Sequence, residues 1–214
     1  MTELTRIQIA PYAREIHDTI DSALYRLGLL EQEGRACVDL GDALRASSEQ
    51  DRELDEQAFN AKLQSQAKIF DLLDAFLSNY ARLSLLIFPS SKDAFALERA
   101  ATLQRCFALE QTSPLNNRDL RDSWVHFDER IDQALQAKRA TNGQTFCRSA
   151  QVDDRVKETY LRIIEIDTLR IHFRNRQGQS AFAALRELRG PMLDIEKRRS
   201  TAFDNLRSGI ESSK

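Results

Sequence analysis

Apolar residues fall at three- and four-residue steps through most of the chain, the repeat of a helix with one buried face. Ile16, Ile20, Ala23, Leu24, Leu27 and Leu30 predict a first helix from near Pro11 towards Arg45, with Gly34 as a candidate break. Ala46–Gln50 reads as a polar connector, with Ser48 placed to cap the next helix. From Glu49 to Phe88 the stripe widens through Phe59, Leu63, Ile69, Phe70, Leu73, Phe76, Leu77, Tyr80, Leu83 and Ile87. A helix apolar over most of its circumference is a central one. Pro89-Ser90-Ser91 ends it, and Ser91 is placed to cap a third helix over Lys92–Glu110. Thr112-Ser113-Pro114 breaks the chain again. A fourth helix then runs from Asn117 to about Arg139, with Leu120, Trp124, Phe127, Ile131 and Leu135 as its core stripe.

After Thr141-Asn142-Gly143-Gln144, which reads as a turn, the texture changes. Leu161–Ile166 and Leu169–Arg174 are rich in β-branched residues and flank Asp167-Thr168. In the second segment Leu169, Ile171 and Phe173 alternate with Arg170, His172 and Arg174, the period of a half-buried strand. The pattern predicts a β-hairpin, although Val156, Tyr160 and Ile163 also keep a helical spacing. Ser180–Leu206 reads as a closing helix, kinked near Gly190-Pro191. The expected fold is mainly α, a four- to five-helix bundle with a C-terminal β-hairpin and helix appendage. Residues 1–140 would form the bundle, and 141–214 the appendage packed on the same domain.

Composition narrows the functions open to such a fold. The 214 residues carry 31 basic and 33 acidic side chains, a net charge of −2, which excludes a generic polycationic nucleic-acid binder. A basic patch must therefore be local. No apolar leader is visible, and the most apolar stretch, Ile69–Phe88, is interrupted by Asp71, Asp74 and Arg82. A cytoplasmic protein without a membrane partner is expected. Cys37, Cys106 and Cys147 are odd in number and widely spaced, so they read as reduced thiols. The chain has no GxGxxG, GxxxxGK[ST], HExxH or GxSxG. Three His and three Cys leave little material for a metal site, and neither metal nor cofactor is expected.

The candidate chemistry lies on the fourth helix, Asn117-Arg118-Asp119-Leu120-Arg121-Asp122-Ser123-Trp124-Val125-His126. His126 lies away from the apolar stripe and one turn beyond Asp122. Arg121 and His126 have the Arg-x4–6-His spacing, and here the chain resembles the HEPN superfamily of small helical proteins. The resemblance covers this motif and the helical layout over about residues 1–140. It implies a metal-independent endoribonuclease that leaves a 2′,3′-cyclic phosphate, of the toxin–antitoxin or phage-defence kind. In that role Arg121 would stabilise phosphate charge, His126 would move the proton and Asp122 would support the imidazole. In a chain with 24 Arg the bare spacing arises readily, so the weight falls on Asp122 and on the helical setting. Five residues also turn an ideal helix through about 140°, which separates the two side chains. HEPN-like enzymes bring two motifs together across a two-fold axis, which implies a homodimer, and Val125 opposite the core stripe suits such an interface.

A second basic group completes the candidates. Arg118, Arg170, His172 and Arg174, with Arg162 on the neighbouring strand, are placed to hold RNA phosphates. They read first as a solvated strand face, because no exposed aromatic is seen between them. The alternatives to an enzyme are an inactive HEPN-like module binding RNA, a nucleotide or a protein, and a helical interaction protein. Expected partners are a second copy, RNA, and a cognate antitoxin or regulatory protein.

Overall fold

The computed structural model describes residues 6–47, 52–137 and 142–199. The expected cap Ser48, the end of the fourth helix at Arg139 and the stretch from 200 towards Leu206 lie outside the described residues. Helices α1 (Arg6–Ser47) and α2 (Arg52–Ile87) are the long elements, and they pack against one another. Their shared seam buries Ile16, Ile20, Ala23, Leu27 and Leu30 against Ile69, Leu73, Phe76, Leu77 and Tyr80. These are the positions that the periodicity marks. The helix α1 begins at Arg6, so Pro11 lies inside it rather than at its start.

The helix α1 also runs unbroken through Gly34. A Cβ at this residue would lie 2.6 Å from the backbone oxygen of Ile166, so glycine is required by a close approach. Gly34→Ala is expected to destabilise the protein by about 2 kcal/mol, because overpacking outweighs the gain of roughly 1 kcal/mol in helix propensity. At Gly28 nothing lies within 4 Å of such a Cβ. Gly28→Ala should therefore stabilise by up to about 1 kcal/mol. Chemical denaturation of the two variants checks the opposite signs.

The third helix, α3 (Ala94–Phe107), is capped by Asp93 rather than by Ser91. The Asp93 carboxylate accepts from the Ala96 N–H at 2.9 Å, while the Ser91 hydroxyl accepts from the Asp93 N–H at 3.0 Å. A 3-10 turn over Pro114–Asn116 follows, and the Tyr80 hydroxyl donates to the Asn117 carbonyl at 3.0 Å behind it. The expected fourth helix is two helices, α4 (Arg118–Val125) and α5 (Phe127–Gln136), broken at His126. The break shifts the phase of the second half. Arg130 and Ala134 turn inward on α5, and Leu135, expected in the core, is 61% exposed.

The C-terminal part is a four-stranded sheet in the order β1-β2-β3-β4. The hairpin is present as β2 (Tyr160–Glu165) and β3 (Arg170–Arg174), antiparallel, with Arg162 opposite Phe173 and Ile163 opposite His172. Two further strands correct the sequence reading. Asn142–Cys147 is not a turn but β1, paired parallel to β2 through a crossover that contains α6 (Asp154–Thr159). Ser180–Ala184 is not helical but β4, antiparallel to β3. The Asn175 side chain accepts from the Gln177 and Gln179 N–H groups, both at 3.0 Å, and Gly178 takes φ 74°. That turn commits residue 180 onward to a strand.

A 3-10 turn over Leu185–Leu188 leads into a last helix, α7, over residues 189–199. Pro191 sits in its first turn, where the missing N–H has no helical partner to lose. The inward side chains Ile164, Ile171, Phe173 and Ala183 join the helical residues in one hydrophobic cluster. The chain is thus mainly helical with a small C-terminal sheet. Among the described residues no helix is long and apolar enough to cross a membrane.

Candidate functional site

Arg121 is 2% exposed and points into the protein. Its Nη1 donates to the Phe88 carbonyl at 3.2 Å and to the Ser84 hydroxyl at 3.4 Å. Nη2 donates to the Ser90 hydroxyl at 2.8 Å, and Nε to Asp122 at 3.2 Å. Four of its five N–H donors are therefore taken within the chain. Phe88 lies just past the end of α2, whose last carbonyls have no helical donor. A cation at a helix C-terminus also meets the negative end of the macrodipole, so Arg121 is a cap for α2.

His126 sits at the junction of α4 and α5 with φ −114° and ψ 41°, and its Nδ1 pairs with Glu129 at 2.9 Å. Asp122 does not reach the imidazole. Its carboxylate serves Arg121 and, at 3.1 Å, Arg176, while its backbone carbonyl accepts from the His126 N–H. A residue four positions earlier faces the histidine only in a continuous helix, and the helix stops here. No hydrogen bond or ion pair joins Arg121 to His126 among the described residues. Val125, expected on an open face, is 53% exposed.

The break has a visible cause in Arg162. This side chain is buried, contrary to the expectation of a solvated stripe, because its register partner Phe173 is on the core face. Its Nη2 donates to the Ser123 carbonyl at 2.9 Å and to the Trp124 carbonyl at 3.3 Å. Those carbonyls would accept from residues 127 and 128 in an uninterrupted helix. The guanidinium carbon lies 4.0 Å from the Trp124 ring centroid and 3.4 Å from that of Phe127. Burial pushes the guanidinium down to about 9, opposed by the charge of Asp74. It remains a cation at neutral pH.

The remaining basic candidates fall on the outer face of the sheet or beside it. Arg118 is exposed in the first turn of α4. Arg170, His172 and Arg174 share one face of β3, and Arg170 is exposed. The His172 Nε2 pairs with the buried Glu165 at 2.6 Å, and Arg174 donates to the Lys157 carbonyl at 2.7 Å. Across from His172, in register, stands Phe182 of β4, 61% exposed. The Arg170 guanidinium carbon is 5.0 Å from its ring centroid, and the His172 ring is 6.2 Å away. Phe182 is the functional candidate that sequence reading missed. Its signal was Asn175 and Gly178, the turn that makes residue 182 a strand position alternating with Ala181 and Ala183.

Few groups suit a metal or a nucleophile. His17, Asp21 and Glu196 bring ligand atoms within 4.8 Å of one another. Both imidazole nitrogens are already taken, by Glu196 at 2.9 Å and Asp21 at 3.4 Å, and the trio ties α7 to α1. None of the three cysteines is in a disulfide among the described residues. Burial, with the charges of Glu165 and Asp167, pushes the Cys147 thiol up to about 11, which leaves it protonated and unreactive at neutral pH. Comparison with protein-family models, with curated proteins and with solved structures gave no match.

Proposed function

We propose that the protein is a single-stranded RNA-binding module of the inactive HEPN-like kind, using the outer face of β3 and β4. The observation that carries this reading is Phe182, an exposed aromatic ring in register with His172 and with the Arg170 guanidinium carbon 5.0 Å from its centroid. Every nucleobase has a π-face that stacks on such a ring, and the neighbouring Arg170 guanidinium can meet a phosphate. The buried state of Arg121 supports binding over cleavage, since phosphate contact would require its release from Ser84, Phe88, Ser90 and Asp122. A local basic–aromatic patch also fits the balanced net charge of the whole chain. In this reading the protein works in the cytoplasm, and neither a second copy nor an antitoxin is needed for the contact.

Fluorescence anisotropy with a labelled single-stranded RNA tests it. Phe182→Ala is expected to weaken binding by about tenfold, the loss of one stacked base, without changing the melting temperature. Arg170→Ala should reduce the slope of log affinity against log salt by about one contact. Absence of binding at low salt, or binding indifferent to Phe182→Ala, would overturn the proposal. Cleavage in EDTA that leaves a cyclic phosphate and disappears in His126→Ala would instead establish the ribonuclease.

A further inference from the structure

Where β3 turns into β4, a cleft of about 190 Å³ opens between that turn, α5 and α6. Three arginines line it, Arg130 from α5 with Arg174 and Arg176 from the end of β3 and its turn, together with Gln133, Gln177 and Glu158. Arg130 is only 5% exposed. Among the described residues it gives one hydrogen bond, from Nη1 to the Gln133 side chain at 3.0 Å, and its Nε has no partner. Among the described residues Arg174 donates to the backbone carbonyls of Lys157 and Gly178. Neither arginine has a carboxylate partner among the described residues. Arg176 reaches Asp122 at 3.1 Å, and Glu158 is exposed. A buried guanidinium without a counter-ion carries a desolvation penalty, which an anion in the cleft would offset.

We propose that this cleft binds a phosphate monoester, the end group of an RNA strand whose bases lie on the Phe182 face. The proposal rests on the RNA-binding reading and names the part of the strand that this site takes. Two features select an end group. The volume suits a phosphate with part of one ribose, and is below the roughly 300 Å³ at which pockets for whole small molecules begin. A phosphate inside the strand must enter and leave such a recess through two esters, whereas a terminal one has a single attachment and a second negative charge. Arg174 and Leu161 line both this cleft and the shallow hollow beside His172 and Ser180, so the cleft adjoins the stacking face.

The experiment compares one labelled RNA sequence with a 5′-phosphate, a 3′-phosphate or hydroxyl groups at both ends, with AMP and inorganic phosphate as competitors. A phosphate at one of the two ends is expected to tighten binding by at least about tenfold, as two charge-assisted guanidinium contacts would. Arg176→Ala, at an exposed position, should remove most of that gain and leave the hydroxyl-ended affinity unchanged. Arg130→Gln should remove the rest, and a melting curve of each variant establishes that it is folded. Equal affinity for all three strands would overturn the proposal while leaving the RNA-binding reading intact. If AMP bound in an Arg176-dependent way and no strand bound at all, the site would stand with a free nucleotide as its ligand. The RNA reading, and the strand-end assignment with it, would then fail.

Discussion

Arg121→Ala is expected to lower stability by about 3–5 kcal/mol, the range for deleting one partner of a buried, hydrogen-bonded charge. In a chain of this size that corresponds to a melting temperature lower by about 10 °C. The substitution leaves the Phe88 carbonyl and the Ser84 hydroxyl without a donor in the interior. It also strips Asp122 of one of its two arginines. Arg121→Lys should recover only part of the loss, because an ammonium cannot match four acceptors arranged around a planar fork. His126→Ala, beside it in sequence, is expected to change stability by less than about 0.5 kcal/mol, since its one side-chain partner is the exposed Glu129. Differential scanning calorimetry of the three variants checks this. An Arg121→Ala protein as stable as the parent would show that the guanidinium is held ready for a ligand rather than for α2.

Arg162→Ala is expected to produce a loss of similar size, about 3–5 kcal/mol, by a different route. Two carbonyls at the end of α4 lose their donor, and the slot between Trp124 and Phe127 is emptied. Arg162→Met fills the slot without supplying donors. It should fall between the parent and the alanine variant, and the interval separates packing from hydrogen bonding. Urea denaturation followed by Trp124 fluorescence reads both, since the only tryptophan of the chain lies against the substituted residue. If Arg162→Ala melted like the parent, the guanidinium would not be what ends α4.

The two arginines show what was legible in the sequence and what was not. Helix spans could be read because the repeat that buries Ile16 to Leu30 and Ile69 to Ile87 is local to each segment. The hairpin could be read from its alternation for the same reason. Arg162 was legible in principle: opposite an inward Phe173, an arginine must be buried. Arg121 lies about 60° from Trp124 around the helix, at the flank of the buried stripe. What its sequence does not contain is the need of α2 for donors beyond Ile87, which is set by packing. Strand β4 was hidden more deeply. Ser180-Ala181-Phe182-Ala183-Ala184 has little intrinsic strand preference, and only its pairing with β3 makes it one. With it went Phe182, so the basic residues were found and the aromatic between them was not.

The same use of arginine recurs across the fold. Arg121, Arg148, Arg162 and Arg174 each donate to a backbone carbonyl, of Phe88, Val38, Trp124 and Lys157 among others. Flat, multiply donating heads suit that task better than a single ammonium.

Synthesis on the ribosome proceeds from the N-terminus, and the two capping arginines arrive late. The Phe88 carbonyl waits for a donor 33 residues downstream, and the Ser123 carbonyl for one 39 residues downstream. His17 meets Glu196 only after 179 residues have been added. Contacts close in sequence form first, because long loops must be closed before distant ones can contribute. A nascent chain therefore holds the α1–α2 pair with an open helix end until Arg121 emerges. It cannot form the outer face of β3 and β4 until Ala184 has emerged.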